Sequence, residues 1–188
     1  MQQFLSAFIL SISSNLDTFT VSVSYGMHKI KLPLSSNLLI AIITSIGTFL
    51  SMLFGSFLEN ILPNSISNFI GGISLVLIGT WFLISSIRNK ETPNFINADS
   101  NNSRVIELKE TIPLAFALTI NNLGVGISAS ITGINIFYST LFTFIVTSLS
   151  IILGSLLGNS FLGKLLGKYA SLASSLLLII LGIYESFI

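Results

Sequence analysis

Six stretches of roughly 20 mostly apolar residues each, near 4–26, 36–58, 67–87, 112–133, 137–157 and 170–188, dominate this sequence. Only 8% of its 188 residues are charged and 52% are hydrophobic, whereas a water-facing domain carries about 25% charged residues. Such a chain cannot cover a solvated surface, so the sequence predicts an all-α integral membrane protein with six transmembrane helices. The opening MQQFLSAFILSISSNLD lacks a basic n-region and a small-residue cleavage site, and reads as a retained first span. Pro33, Pro63 and Pro93 punctuate the connections, and Pro113 is expected in the opening turn of the fourth span, where its missing N–H costs nothing.

The eight Lys and Arg residues set the direction. Lys29 and Lys31 fall in the first connection, Arg88, Lys90, Arg104 and Lys109 in the third, and Lys164 and Lys168 in the fifth. By the positive-inside rule these three loops are cytoplasmic and both termini are outside. A net charge of +1 gives no basic surface for nucleic acid. With no cysteine there is no disulfide, thiolate metal site or Cys nucleophile. No Walker A motif, catalytic triad or metal-hydrolase spacing occurs, so neither ATP-driven pumping nor membrane enzymology has support.

The two halves resemble each other. NLDTFTVSVS aligns with TINNLGVGIS, placing Asp17 on Asn121. Thr44, Thr48, Ser51 and Gly55 recur at one constant offset as Thr143, Thr147, Ser150 and Gly154. A three-helix unit repeated once crosses the membrane in the opposite sense the second time, an architecture recurrent in secondary transporters. The expected organisation is a first repeat over 1–87, a cytoplasmic linker over 88–111 and a second, inverted repeat over 112–188.

Residues three or four apart share a helix face. Ser13, Asp17, Thr20 and Ser24 form one polar stripe, and Ala117, Asn121, Gly124 and Ser128 form its partner. The stripes of the second and fifth spans suit either close helix packing or the lining of a polar cleft. Asp17 is different, because packing needs no charge and a central Asp costs roughly 2.5–3.5 kcal/mol in a spanning helix. No Lys or Arg lies within a span to neutralise it. It is either a protonated, hydrogen-bonded structural residue or a carboxylate that meets a cation, a proton, or each in turn. Carboxylate, amide and hydroxyl oxygens are hard ligands suited to Mg²⁺, Ca²⁺ or Mn²⁺. Asp17, Asn121, Asn122, Thr20 and Ser13 are the candidate set, with carbonyls near Gly124 and Gly126 as helpers. The lone His28 reads as an interfacial residue. Glu59 and Glu185 read as solvated carboxylates at the outer face.

The long polar connection contains DSNNSRVIELKE, in the register of an EF-hand loop. Asp99, Asn101, Ser103 and Glu110 take positions 1, 3, 5 and 12, and Ile106 takes position 8. Position 6 calls for glycine because the chain turns there with φ > 0, yet it is Arg104. The segment is either a weak ion site or a solvated linker.

NLDTFTVSVSYGMHKIKLP (15–33) and LAFALTINNLGVGIS (114–128) together resemble the MntP-type manganese exporters, and more closely their YtaF-type sporulation branch. The resemblance covers nearly the whole chain. It implies a multi-pass protein of the bacterial inner membrane, in the lysine-exporter-like transporter group, using intramembrane acidic residues for manganese efflux. The family's second motif usually carries an acid where this chain has Asn121, which weakens the expected grip on a divalent ion. The YtaF-type branch has the loop register with its glycine present, so this copy looks eroded.

The leading expectation is therefore a secondary transporter, without a resident cofactor, that exports a divalent cation such as Mn²⁺ through a midplane site containing Asp17. A proton is the expected counter-ion and the lipid bilayer the expected surroundings. The alternative is a non-transporting membrane protein of sporulation, acting as scaffold or partner. Export of an amino-acid-like solute would call for intramembrane charges of both signs.

Overall fold

The computed structural model describes residues 2–88, 98–99, 102–158 and 160–187. Six helices follow one another: α1 (Gln2–Met27), α2 (Leu34–Glu59), α3 (Asn64–Arg88), α4 (Leu108–Ile131), α5 (Ile136–Leu157) and α6 (Phe161–Ser186). Five are long and apolar enough to cross a membrane. The fourth joins them if its two segments, Leu108–Ile120 and Asn122–Ile131, which meet at 41°, count as one span. The outward-facing side chains include Trp81, Phe57, Leu77 and Leu156. An apolar exterior of this kind suits a multi-pass membrane protein.

Helix ends reach beyond the apolar stretches. A capping box starts α4 at Leu108: Glu107 and Glu110 each accept the other's backbone N–H, the second at 3.1 Å. Leu108–Thr111 thus belong to α4 and not to a linker. Pro113 lies more than a turn inside the helix, so its missing N–H leaves the Lys109 carbonyl without its usual i+4 donor. In α6, Ser160 accepts the Gly163 N–H at 3.0 Å and starts the helix nine residues before 170. Lys164 and Lys168 therefore stand in the opening turns of α6, not in a loop.

The strongest helix contacts are α2 with α4, α3 with α6, and α1 with α5, followed by α1 with α6, α2 with α5 and α3 with α4. Each of these pairs takes one helix from either half, so the halves interlock and neither buries its own faces alone. Exchanging α1 with α4, α2 with α5 and α3 with α6 maps this set of pairs onto itself. Close approach needs small residues. A Cβ at Gly154 of α5 would lie 2.9 Å from the Phe19 carbonyl of α1, and one at Gly126 of α4 would strike Ser51 of α2.

Two apolar clusters fill the interior. One, at the end bearing Lys31 and Arg104 (the basic end), comprises Val21, Tyr25, Ile30, Ile40, Ile106, Leu114, Ala115, Leu118 and Ile151. The other, towards the opposite end, comprises Ala7, Leu10, Met52, Leu75, Val125, Ala129, Ile134, Leu178 and Leu181. Between them, on four helices, runs a belt of buried polar side chains: Ser11, Ser13, Asn15 and Thr18 of α1, Thr44 and Thr48 of α2, Thr119 and Asn122 of α4, and Thr143 and Thr147 of α5.

Candidate functional site

The belt is tied together by hydrogen bonds that cross helices. Thr147 Oγ1 donates to Asn15 Oδ1 at 2.6 Å and lies 3.4 Å from Thr44 Oγ1, linking α5 to α1 and α2. Asn15 Nδ2 donates to the Ser11 carbonyl at 2.8 Å, and Ser11 Oγ donates to the Ser139 carbonyl at 3.2 Å. This seam of Ser11, Asn15, Thr18 and Ser22 is a second polar stripe on α1, with the same 4-3-4 spacing as the one containing Asp17. The spacing is visible in the sequence, but it carries no charge to set it apart from the neighbouring face.

Asp17 is half-buried in the belt, and its Oδ1 accepts the Thr18 N–H at 2.6 Å. Ser13 and Thr20 flank it, each donating its hydroxyl back to its own helix, to the Ile9 carbonyl at 2.8 Å and the Leu16 carbonyl at 2.9 Å. A hydroxyl whose proton is engaged this way leaves oxygen lone pairs for a cation. Ser174 of α6 donates at 2.6 Å to the Ser13 carbonyl, the acceptor that a helix assigns to the Asp17 amide. α6 thereby steadies the backbone under Asp17, a contact that no spacing within either helix predicts.

On α4, which touches α1, Asn122 is buried and its Nδ2 finds no hydrogen-bond partner. The Asn121 side chain lies outside the described residues. Thr48 Oγ1, buried on α2, is likewise unpartnered. Buried polar atoms are rarely left so. Among the described residues no three His, Cys, Asp or Glu side chains come together. Any metal at the belt would thus be held by one carboxylate with amide, hydroxyl and water oxygens.

The sequence-predicted loop site is shaped but differently employed. Asp99 accepts the N–H groups of Ser103 and Arg104, both at 3.0 Å. Arg104, at the position that calls for glycine, takes φ 61°. Ser103 Oγ donates to the Val105 carbonyl at 2.9 Å, and Glu110 is engaged in the α4 cap. Asn101 lies outside the described residues. The stretch is bound to the α1–α2 connection: Lys31 N–H donates to Arg104 O at 2.8 Å, Ile106 N–H to Lys31 O at 3.0 Å, and Ser36 Oγ to Ile106 O at 2.9 Å. These bonds hold Ile106, fully buried, in the basic-end cluster.

Glu185 is not solvated. Its residue is only 7% exposed and it accepts a hydrogen bond from Ser6 Oγ at 2.5 Å. The pattern Leu178, Leu181, Glu185 places it on the packed face of α6, which outweighs its nearness to the helix end.

The family described as "Mntp: Putative manganese efflux pump" matches residues 1–83 and 85–184. A relative named "Probable sporulation protein YtaF", from Bacillus subtilis (strain 168), is 31% identical over 210 residues, covering 97% of this chain and 99% of the relative. A "Putative manganese efflux pump MntP" from Bacillus mycoides (strain KBAB4) is 27% identical over 189 residues, covering 100% and 98%. Another so named, from Bacillus anthracis, is 28% identical over 196 residues, covering 99% and 97%. No solved structure matches the chain.

Proposed function

The chain belongs to the putative manganese efflux pump family, and from that premise we propose that it is a secondary transporter exporting Mn²⁺ across the bacterial inner membrane. The ion binds in the polar belt at Asp17, with Ser13, Thr20, Asn121 and Asn122 supplying neutral oxygens. The observation that carries this reading is the belt itself: a carboxylate and unpartnered polar atoms, closed towards either end by an apolar cluster. A structural core has no need of such an arrangement, whereas an occluded binding site requires it.

The exchange symmetry of the helix pairs supports two inverted three-helix repeats. The bend in α4 beside Asn121 supports the same reading, because broken helices offer backbone carbonyls to ions at mid-membrane. The end bearing the Lys and Arg residues is cytoplasmic and both termini are outside by the positive-inside rule. Opening one apolar cluster at a time then gives alternating access, with protons as counter-ions. Asn121→Asp restores a second carboxylate and lowers the Mn²⁺ concentration for half-maximal transport by about tenfold, or 1.4 kcal/mol.

The relative named for sporulation favours a second reading, a membrane protein that serves spore formation without transporting. Radiolabelled Mn²⁺ uptake into inverted vesicles separates the two. Uptake above empty-vector vesicles that vanishes in Asp17→Asn supports the transporter. Background uptake with correctly inserted wild type overturns it in favour of the scaffold.

A further inference from the structure

The α1–α6 seam holds a second carboxylate that the metal site does not use. Ser6, Leu10, Ser13 and Asp17 lie on one face of α1 at 4-3-4 spacing, and Ser174, Leu178, Leu181 and Glu185 do the same on α6. The two faces meet antiparallel: Ser6 bonds Glu185, and Ser174 bonds the Ser13 carbonyl. Between these two bonds lie Leu10, Leu178 and Leu181, all members of the apolar cluster at the end opposite the basic loops. Ser6 is eleven residues from Asp17, about 16 Å along the helix at 1.5 Å per residue. Glu185 and Asp17 thus stand on opposite sides of that cluster, on one continuous seam.

The surroundings of Glu185 suit a proton and not the metal. Among the described residues its one hydrogen bond comes from Ser6, and no basic side chain pairs with it. A divalent ion needs about six or more oxygens, and among the described residues no group of three His, Cys, Asp or Glu side chains is present to supply them. A proton needs a single oxygen. The titratable groups on the helices packed against α6 are Asp17 and Tyr25 on α1, Tyr138 on α5, and Arg88 at the far end of α3. Of these, Asp17 alone shares the seam face.

We infer that Glu185 is the proton-entry site of the transporter, on the outer side of the apolar cluster that closes the metal site. This rests on the exporter reading above. In each cycle the Glu185 carboxylate takes one proton from outside water and becomes a carboxylic acid. When Leu10, Leu178 and Leu181 part, the proton passes inward along the seam to the polar belt vacated by Mn²⁺, and Glu185 is left ionised again. The proton leaves to the cytoplasm before the next metal ion binds. A carboxylate that only pinned α1 to α6 would have no part in coupling.

The test uses the purified full chain in liposomes, with Mn²⁺ as probe and two fluxes measured: Mn²⁺/Mn²⁺ exchange, and net Mn²⁺ movement driven by a pH gradient. Glu185→Gln, which keeps shape and an acceptor for Ser6, is expected to retain exchange and to lose the gradient-driven flux by about tenfold or more. Ser6→Ala, which removes the hydrogen-bond donor to Glu185, is expected to keep exchange and to change the pH dependence of the driven flux. Wild-type gradient-driven flux in Glu185→Gln would overturn the assignment. So would loss of both fluxes in Glu185→Gln together with an unshifted pH profile in Ser6→Ala. Wild type showing neither flux would overturn the transporter reading itself, and this inference with it.

Discussion

The two apolar clusters that bracket the polar belt close it by different means. The one near Leu10 is built from α1, α2, α3, α4 and α6, with Ile134 following α4, and its side chains sit on helices that hold one another through glycine contacts. The one near Tyr25 includes Ile106, a residue of the third connection suspended by three hydrogen bonds from Lys31 and Ser36. Opening the first requires helices to move apart. The second also rests on side chains of α1, α2, α4 and α5, but its strap residue Ile106 can detach while those helices stay in place, and local unfolding of weakly held segments costs far less than global unfolding. The basic end is therefore the more loosely fastened of the two, and the opposite end the stiffer one.

Substitutions in the two clusters should separate accordingly. Leu178→Ala, in the helix-built cluster, is expected to lower the unfolding free energy of the detergent-purified protein by about 2–5 kcal/mol. Ile106→Ala should leave global unfolding within about 1 kcal/mol, because the strap detaches instead, and should speed amide exchange over residues 102–107. Equal global losses would erase the distinction. Ser36→Ala removes the bond to the Ile106 carbonyl and should loosen the strap by about 1 kcal/mol, again read by amide exchange. Arg104→Gly sharpens the contrast from the other side. Relief of the positive φ at Arg104 should slow exchange of the strap by the equivalent of about 1 kcal/mol.

The apolar spans were legible because they rest on composition, which lipid reads directly. Helix ends were less so. Glu107, Glu110 and Ser160 cap in the polar region, where hydropathy carries no signal. The pairing of helices was hidden for a different reason. Ser, Thr and Gly stripes look alike on every span, and only packing decides that Asn15 meets Thr147 or that Gly126 meets Ser51. Position near a helix end makes Glu185 read as solvated, whereas the Leu178–Leu181–Glu185 spacing puts it on the packed face, where it is buried. Arg104 runs the other way: the loop register demanded φ > 0 there, and the backbone adopts it without the glycine.

The exporter reading requires that Asp17 hold Mn²⁺ inside the belt. The most direct measurement is a Mn²⁺ binding titration followed by electron paramagnetic resonance, in which bound ions lose the sharp signal of the hydrated ion. Wild type is expected to remove about one ion per chain from the free signal, and Asp17→Asn to remove none. Equal binding by wild type and Asp17→Asn would place the metal away from Asp17 and overturn the assignment of the belt.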